Sequence, residues 1–287
     1  MTITKPAYST ENKEVSPWRN RLNELWQQVG LRLINLLANS GDYRLETYDY
    51  GTGDREKLDW YIHDETAPTV IFFYGGNWRS GRRQDYRFVA DTLCRMGVNV
   101  MVPDFPLYPD HRFDSILAGV VKATNWFLAH LLPAGQVIVM GHSSGAQKAA
   151  LLALDVNLLQ SPERIVAMIG IAGPYDFYPF TEDDHWDLFG PEEHYPRSQP
   201  VNYVRGDAPV LYLLHGRDDM RVRRGHSKSL MEKQRAAGGT AEREVYDGMG
   251  HVDAVVSFSR IHRRNSKLVR DIQSFVNTLK HSSKHSL

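Results

Sequence analysis

The chain has 287 residues and a mass of 32.8 kDa, which is enough for one large α/β domain with a sizeable buried core. Its 42% hydrophobic and 24% charged residues are typical of a folded globular protein and exclude a disordered or fibrous chain. Because 34 basic residues balance 34 acidic ones, no net charge attracts nucleic acid or an anionic membrane, and we expect neither as a partner.

The amino-terminal region is predicted to be a mobile polar segment followed by a helix. Residues 1–17 are polar and hold no apolar block of signal-peptide length. Over residues 22–37, apolar side chains recur every three or four positions, which predicts a helix that packs on the rest of the domain. Its polar face lacks the dense Lys and Arg of a membrane-surface helix. Since no apolar stretch reaches membrane-spanning length, we expect a cytoplasmic protein.

Short apolar strands then alternate with helices to the end of the chain. About eight strands separated by helices predict a doubly wound α/β fold, with a mostly parallel sheet, in a single domain over residues 18–287. The predicted strands are 43–50, 57–63, 68–73, 98–102, 136–140, 165–171, 209–214 and 241–246, and the predicted helices are 84–96, 115–132, 146–154, 227–237 and 267–280.

Two further features bound the chemistry that the domain can carry. The single cysteine, Cys94, lies in the apolar pattern of helix 84–96 and is predicted to be a core residue, so a disulfide framework and a multi-cysteine metal site are excluded. Residues 173–207 are irregular, acidic and aromatic, which is typical of a lid-like insertion over a pocket. His185 and His194 lie there among acidic residues without the spacing of known metal motifs, and we predict no metal.

The strongest chemical signal is Gly-His-Ser-Ser-Gly at 141–145. It directly follows the apolar strand 136–140 and precedes a helical run. This strand–turn–helix context is the one in which such a turn exposes a nucleophilic serine at the carboxyl edge of a sheet, in front of a helix amino terminus. We therefore predict Ser143 as the nucleophile. The alternative is a glycine-rich connection whose two serines cap a helix.

A serine hydroxyl needs a base to remove its proton and an acid to orient that base. Asp218 and Asp219 both follow the predicted strand 209–214, at the sheet edge where an acid is required. His251 lies further on, in a glycine-flanked segment after the last predicted strand, and is the predicted base.

The hydrolysis of an acyl bond also needs hydrogen-bond donors for the developing oxyanion. The sequence Tyr-Gly-Gly-Asn-Trp at 74–78 follows the predicted strand 68–73. Its glycines, Gly75 and Gly76, allow backbone N–H groups to turn toward a substrate, and the N–H of Ser144 completes the predicted oxyanion hole. A simple glycine turn leaving a strand is the alternative.

Together these motifs resemble the α/β-hydrolase family, in particular its carboxylesterase and hormone-sensitive-lipase-like branch, which includes the kynurenine formamidases. The resemblance extends from about residue 43 over nearly all of the chain, and implies an α/β-hydrolase fold with helices on both faces of the sheet. The family's His-Gly-Gly-x-Trp is similar to 74–78, its Asp-Tyr-Arg-Leu-x-Pro-Glu to 104–110, its nucleophile turn to 141–145, its His-Gly-x-x-Asp-x-x-Val to 215–222 and its late Gly-His to 250–251.

The resemblance favours Asp219 over Asp218 as the acid. It implies that His251 deprotonates Ser143, that Asp219 orients the imidazole, and that an acyl-enzyme is then hydrolysed by water without a cofactor. Trp78, Tyr175 and Phe177 are candidates for the substrate-binding wall because they flank the predicted oxyanion loop or begin the insertion, although aromatic residues at these places also suit a core.

The sequence departs from the family's pattern in three places. Tyr74 replaces the histidine that usually begins the oxyanion loop, and the Asp-Phe-Pro that begins at Asp104 lacks the family's arginine. Gln147 and Lys148 stand where small residues often follow the nucleophile turn. We expect these changes to alter packing around the acyl pocket without removing a catalytic residue.

Three functions follow as expectations. The first is hydrolysis of small carboxylic esters by a Ser-His-Asp triad, and the second is hydrolysis of an aryl formamide of the N-formyl-kynurenine type. The third is a binding protein without turnover, which is disfavoured because His251 is present. The partner is then a small ester or amide, and a homodimer is left open.

Overall fold

A computed structural model of the chain describes residue 30, residues 34–35 and residues 41–283. Its central feature is an eight-stranded sheet. The strands are β1 (Arg44–Asp49), β2 (Lys57–Ile62), β3 (Thr69–Phe73), β4 (Asn99–Pro103), β5 (Val137–His142), β6 (Ile165–Ile171), β7 (Val210–Gly216) and β8 (Ala241–Tyr246). Each lies where the sequence predicts it, with ends that differ by at most two residues.

The strands lie side by side in the order β1-β2-β4-β3-β5-β6-β7-β8. β2 pairs antiparallel with both β1 and β4, and every other pair is parallel. The central strands β3, β4 and β5 are buried along their whole length, as expected for short apolar strands in a covered parallel sheet. The predicted mostly parallel α/β sheet is therefore confirmed, with β1 and β8 at its two edges.

Helices connect and flank the strands. The predicted helix 84–96 begins as a 3-10 turn, Arg83–Tyr86, before it becomes α-helical. Two short α-helices, at His185–Phe189 and His251–Val256, lie where loops were expected. The α-helices are α1 (Arg87–Cys94), α2 (Phe113–His130), α3 (Ser144–Leu154), α4 (His185–Phe189), α5 (Gly225–Ala236), α6 (His251–Val256) and α7 (Lys267–Ser283). The predicted mobile segment 1–17 lies outside the described residues, as does most of the predicted helix 22–37.

Cys94 lies in the core, as predicted, with only 1% of its surface exposed. Burial raises the pKa of its thiol to about 12, so the thiol stays protonated and unreactive at neutral pH. None of the helices in the described ranges has the length and apolar character needed to span a bilayer.

The parallel strands place three segments that carry predicted site residues at the carboxyl ends of the strands, on one side of the sheet. β3 leads into residues 74–78, β5 leads into Ser143, and β7 leads into Asp219. β3 and β5 are direct neighbours, whereas β6 separates β5 from β7. Since parallel strands end at a common edge, residues that are far apart in the sequence meet there.

Candidate active site

Ser143 lies on a sharp turn between β5 and α3. Its φ of 54° and ψ of −127° are unfavourable for a residue with a side chain. The turn needs small neighbours, since a methyl carbon placed on Gly145 would lie 2.0 Å from the carbonyl oxygen of Phe73. The Ser143 N–H donates to the carbonyl of Ile171 at 2.9 Å, which anchors the turn to β6. The geometry is that of the strained strand-to-helix turn expected for a nucleophile.

The three predicted triad residues lie within hydrogen-bond distance of one another. The Nε2 atom of His251 is 2.9 Å from Oγ of Ser143, and its Nδ1 atom is 2.7 Å from Oδ2 of Asp219. Asp218, the neighbouring alternative, is exposed and contacts Met249 through its backbone N–H. The chain of hydrogen bonds therefore runs through Asp219 and not through Asp218, and His251 is the first residue of α6.

The carboxylate of Asp219 is held by two backbone N–H groups and by His215, in addition to His251. The backbone N–H groups of Arg221 and Val222 donate to its Oδ1 at 2.9 and 2.8 Å. Nε2 of His215 lies 3.3 Å from its Oδ2. Burial by itself would raise the pKa of this carboxyl, but the contacts with His215 and His251 outweigh it and hold the pKa well below its usual range. Asp219 is therefore ionised at any working pH.

His142, between Gly141 and the nucleophile, lies against the base. Its Nε2–H donates to the carbonyl of His251 at 3.1 Å, and the two ring centroids are 4.9 Å apart. Burial, aided by the nearby His251, lowers the pKa of His142 to about 3. The ring is thus neutral at neutral pH, and its hydrogen bond supports the segment that carries His251.

The predicted oxyanion loop, residues 74–78, lies directly against the nucleophile turn. A methyl carbon on Gly75 would lie 3.0 Å from Cβ of Ser143, and Gly76 has a φ of +126°. Within the described part of the chain, the N–H groups of Gly75 and Gly76 make no hydrogen bond. Both are thus available to an oxyanion near Ser143, as is required of such donors.

Tyr74, which begins the loop where the family's pattern has a histidine, is held by hydrogen bonds at its hydroxyl. Its hydroxyl donates to Oδ1 of Asp104 at 2.7 Å and accepts from Arg55 at 2.9 Å. Arg83 binds the same Asp104 carboxylate through its backbone N–H and its guanidinium. Arg55 and Arg83 thus neutralise Asp104, and the loop is anchored at its first residue.

The three aromatic residues predicted for the pocket wall lie in different surroundings. Tyr175 is fully buried and packed against Gly170 and Gly173, so its surroundings are those of a core residue. Trp78 is almost fully buried, whereas Phe177 is partly exposed. Their rings are stacked with centroids 5.9 Å apart.

The predicted insertion, residues 173–207, contacts the predicted oxyanion loop and the residue that follows it. Asn77 donates to Glu182 at 3.2 Å, Arg79 forms an ion pair with Asp184, and the ring of His185 lies edge-on to Trp78. The ligand atoms of Glu182, Asp184 and His185 lie within 4.8 Å of one another. Because Asn77 and Arg79 already bind the two carboxylates, these residues are explained as the insertion's attachment, and the absence of a metal stays a prediction.

Sequence reasoning gave no role to His142 or His215, and for Gln147 it predicted only altered packing beside the nucleophile turn. Gln147 is fully buried, and its side chain accepts from the indole N–H of Trp78 at 2.8 Å and donates to the carbonyl of Ser198 at 2.6 Å. All three residues lie within or directly after the quoted motifs, which was the available signal. Their contacts depend on segments distant in sequence, and the motifs alone do not contain that information.

Comparison with known proteins gives the family context of this geometry. The sequence model of the BD-FAE family, an α/β-hydrolase-like family, matches residues 58–234, more than half of the chain. This range includes Ser143 and Asp219 but ends before His251.

Curated relatives are esterases and formamidases by name. The chain is 22% identical over 236 residues to an isoprenylcysteine alpha-carbonyl methylesterase of Arabidopsis thaliana, covering 71% of this chain and 55% of the relative. It is 28% identical over 134 residues to a kynurenine formamidase of Salmo salar, covering 45% of this chain and 46% of the relative. The chain thus spans about half the length of these curated relatives.

Solved structures share the fold. Esterase B from Lactobacillus rhamnosis superimposes with a TM-score of 0.72 at 18% identity, covering 93% of this chain and 97% of that one. A truncated carbohydrate esterase from gut microbiota gives a TM-score of 0.69 at 16% identity, covering 84% and 98%. At such identities the likeness establishes the α/β-hydrolase architecture.

Proposed function

The chain belongs to the BD-FAE family of α/β-hydrolases, and on that basis we propose that it is a serine hydrolase that cleaves small carboxylic esters. The observation that carries the proposal is the continuous relay from Ser143 Oγ through His251 to Asp219, with contacts of 2.9 and 2.7 Å. This arrangement has the distances that a nucleophile, its base and the orienting acid require.

The proposed reaction begins with proton transfer from the Ser143 hydroxyl to Nε2 of His251 while Oγ bonds to the ester carbonyl carbon. The carbonyl oxygen becomes an oxyanion that accepts from the N–H groups of Gly75, Gly76 and Ser144. Its collapse breaks the bond to the alcohol oxygen, which takes the proton from His251. Water then loses a proton to His251 and attacks the acyl carbon. Collapse of this second oxyanion breaks the bond from the carbon to Oγ of Ser143, which takes the proton from His251, and the carboxylic acid leaves.

Formamide hydrolysis is the second candidate because kynurenine formamidases of Salmo salar and Danio rerio are among the relatives. The same relay can perform it, since only the leaving atom changes from oxygen to nitrogen. We place the ester first because ester hydrolases predominate by name among the relatives and the solved structures with this fold.

The first test is covalent labelling of the intact protein with a fluorophosphonate. We expect a mass increase of one adduct on wild type and on Ser144→Ala, and none on Ser143→Ala. Ser144 is the matched control because it lies in the same turn and retains its backbone N–H after substitution. An unlabelled, folded wild-type protein would remove both enzyme proposals and leave the binding protein.

The second test separates the two substrates. kcat/KM is measured for p-nitrophenyl acetate and for N-formyl-kynurenine side by side, with Ser143→Ala as the blank. A preference for the acetate supports the ester proposal, whereas a strong preference for the formamide would replace it with the second candidate.

A further inference from the structure

Lys148 is a buried lysine that the proposed reaction does not use. It lies in the first turns of α3, five residues after the nucleophile, and only 1% of its surface is exposed. Its Nζ donates to the carbonyl of Ser144 at 3.0 Å. Burial alone lowers its pKa to about 7, and no carboxylate among the described residues compensates. A long cationic side chain in such a place needs a reason, because an uncompensated buried charge is costly.

The surroundings of Lys148 supply that reason. Its Nζ lies 5.6 Å from the ring centroid of Trp78 and 5.0 Å from that of Phe105. Both distances are within the range of a cation–π contact, which strengthens when the cation is desolvated. The ammonium group therefore joins the nucleophile helix, the oxyanion loop and the segment after β4.

The oxyanion loop needs such support because its backbone is strained. Asn77 and Trp78 have φ values of 52° and 59°, in the left-handed region that a bulky residue rarely adopts. Such a strained backbone persists only where its surroundings hold it. Trp78 is held at its indole N–H by Gln147 and at its ring by Lys148.

We propose that the buried ammonium group of Lys148 is a positioning residue for the oxyanion loop, holding the ring of Trp78 against the amino-terminal turn of the nucleophile helix. The proposal rests on the proposed hydrolase function. Lys148 acts through Trp78 and the Ser144 carbonyl, so its loss reduces stabilisation of the transition state more than binding of the substrate.

Other charged groups near Lys148 are already bound elsewhere. α3 contains no second titratable residue. On the loops that contact Lys148, the titratable residues are Tyr74 and Asp104, which bind each other and are bound by Arg55 and Arg83. Near Trp78, Arg79 is paired with Asp184, and His185 lies beside Glu182. None of these lies within ion-pair distance of Lys148 in the described chain, so its charge is the one that changes at this contact near neutral pH.

The experiment compares wild type with Lys148→Met, which keeps the length of the side chain and removes the charge. On p-nitrophenyl acetate at pH 6 we expect kcat to fall about tenfold while KM stays within twofold. The thermal midpoint should be equal or higher, since a buried charge is removed. Lys122→Met is the matched control, because Lys122 also faces a ring, Tyr50, but is exposed and paired with Glu56; its kcat should not change.

The ratio of wild-type to Lys148→Met kcat is then followed from pH 6 to pH 9. Both proteins share His251, so its protonation cancels in the ratio. We expect the ratio to decline to within twofold of unity as Lys148 loses its proton. A ratio near unity at every pH overturns the proposal, and a large ratio independent of pH also overturns it, because shape rather than charge would then be responsible.

Two provisions keep the result interpretable. Where Lys148→Met does not fold, Lys148→Leu serves the same comparison, and wild-type kcat should itself decline between pH 7 and pH 9; an undiminished kcat would contradict the proposal. Fluorophosphonate labelling of wild type distinguishes the two levels of failure. An unlabelled wild type refutes the hydrolase, whereas a labelled wild type with an unchanged variant refutes only the role of Lys148.

Discussion

At the scale of single residues, the site depends on which of two adjacent carboxylates faces the base. Asp219 is buried and bound by His251 and two backbone N–H groups, while Asp218 is exposed. The backbone donors favour the ionised carboxylate, and the ionised carboxylate accepts from the Nδ1–H of His251. That bond leaves the lone pair of Nε2 directed at Ser143, which is the tautomer that a general base needs.

The exchange of each carboxylate for an amide tests this assignment. Asp219→Asn should lower kcat/KM for p-nitrophenyl acetate about 10³–10⁴-fold, because an amide can favour the wrong tautomer of His251. Asp218→Asn should stay within twofold of wild type. The reverse pattern, with the larger loss at Asp218, would assign the acid to the other residue.

At the scale of structural elements, a strained loop carries the proposed oxyanion donors, and its two glycines meet different steric demands. Gly75 allows close approach to the nucleophile turn. Gly76 has a φ of +126°, and a methyl carbon there would lie 2.2 Å from the carbonyl oxygen of Ser80. No ordinary side chain fits at Gly76 without moving the loop.

Gly76→Ala should therefore displace the oxyanion donors. We expect kcat to fall about 10²-fold with a small change in KM, as for the loss of one oxyanion donor. Gly225→Ala is the control, since a methyl carbon at that glycine meets no atom within 4 Å. Equal kcat values for both variants would show that the loop does not act on the transition state.

Elements differ in how far the sequence predicts them. The strands were predictable because each is an apolar run bounded by turn residues, and the motifs at their carboxyl ends located Ser143 and Asp219. The short helices were not. α6 has six residues, begins at His251 and is capped by Asp253, which accepts from the N–H of Gly250 at 2.8 Å. So short a helix shows too little periodicity to be recognised.

Contacts between segments that are distant in the sequence could also not be predicted from the sequence. The departures at Tyr74 and Lys148 were visible as unusual residues, but their meaning depends on partners elsewhere in the chain. Asp104 and Arg55 approach Tyr74 only in the folded sheet, and Phe105 and Trp78 approach Lys148 in the same way. The sequence showed that the predicted insertion is acidic and aromatic. It did not show that this segment contacts the proposed oxyanion loop.

At the scale of the whole molecule, buried neutral histidines link folding to pH. Burial lowers the pKa of His142 to about 3, and it also lowers the pKa values of His185 and His226. An unfolded histidine titrates near about 6.5. Between these values the unfolded chain binds more protons than the folded one, so the free energy of unfolding decreases as the pH falls from about 6.5 toward 3.

This linkage is measurable by urea denaturation. On going from pH 7 to pH 4.5, His142 alone should remove about 3 kcal/mol of stability, the equivalent of roughly two pKa units at about 1.4 kcal/mol each. His142→Gln should lose less stability over the same interval than wild type. His281→Gln, on the exposed face of α7, should retain the full dependence. An identical decline in wild type and His142→Gln would show that other groups govern the acid response.

The two edges of the sheet have a consequence for association between copies of the chain. β1 carries Arg44, Glu46 and Asp49, and β8 carries Glu242, Arg243 and Glu244. Charged side chains on an edge strand oppose its pairing with another strand, because a second chain would have to bury or confront them. These charges therefore oppose pairing of β1 or β8 with an edge strand of a second copy. Any dimer of this chain is expected to form through its helices and loops.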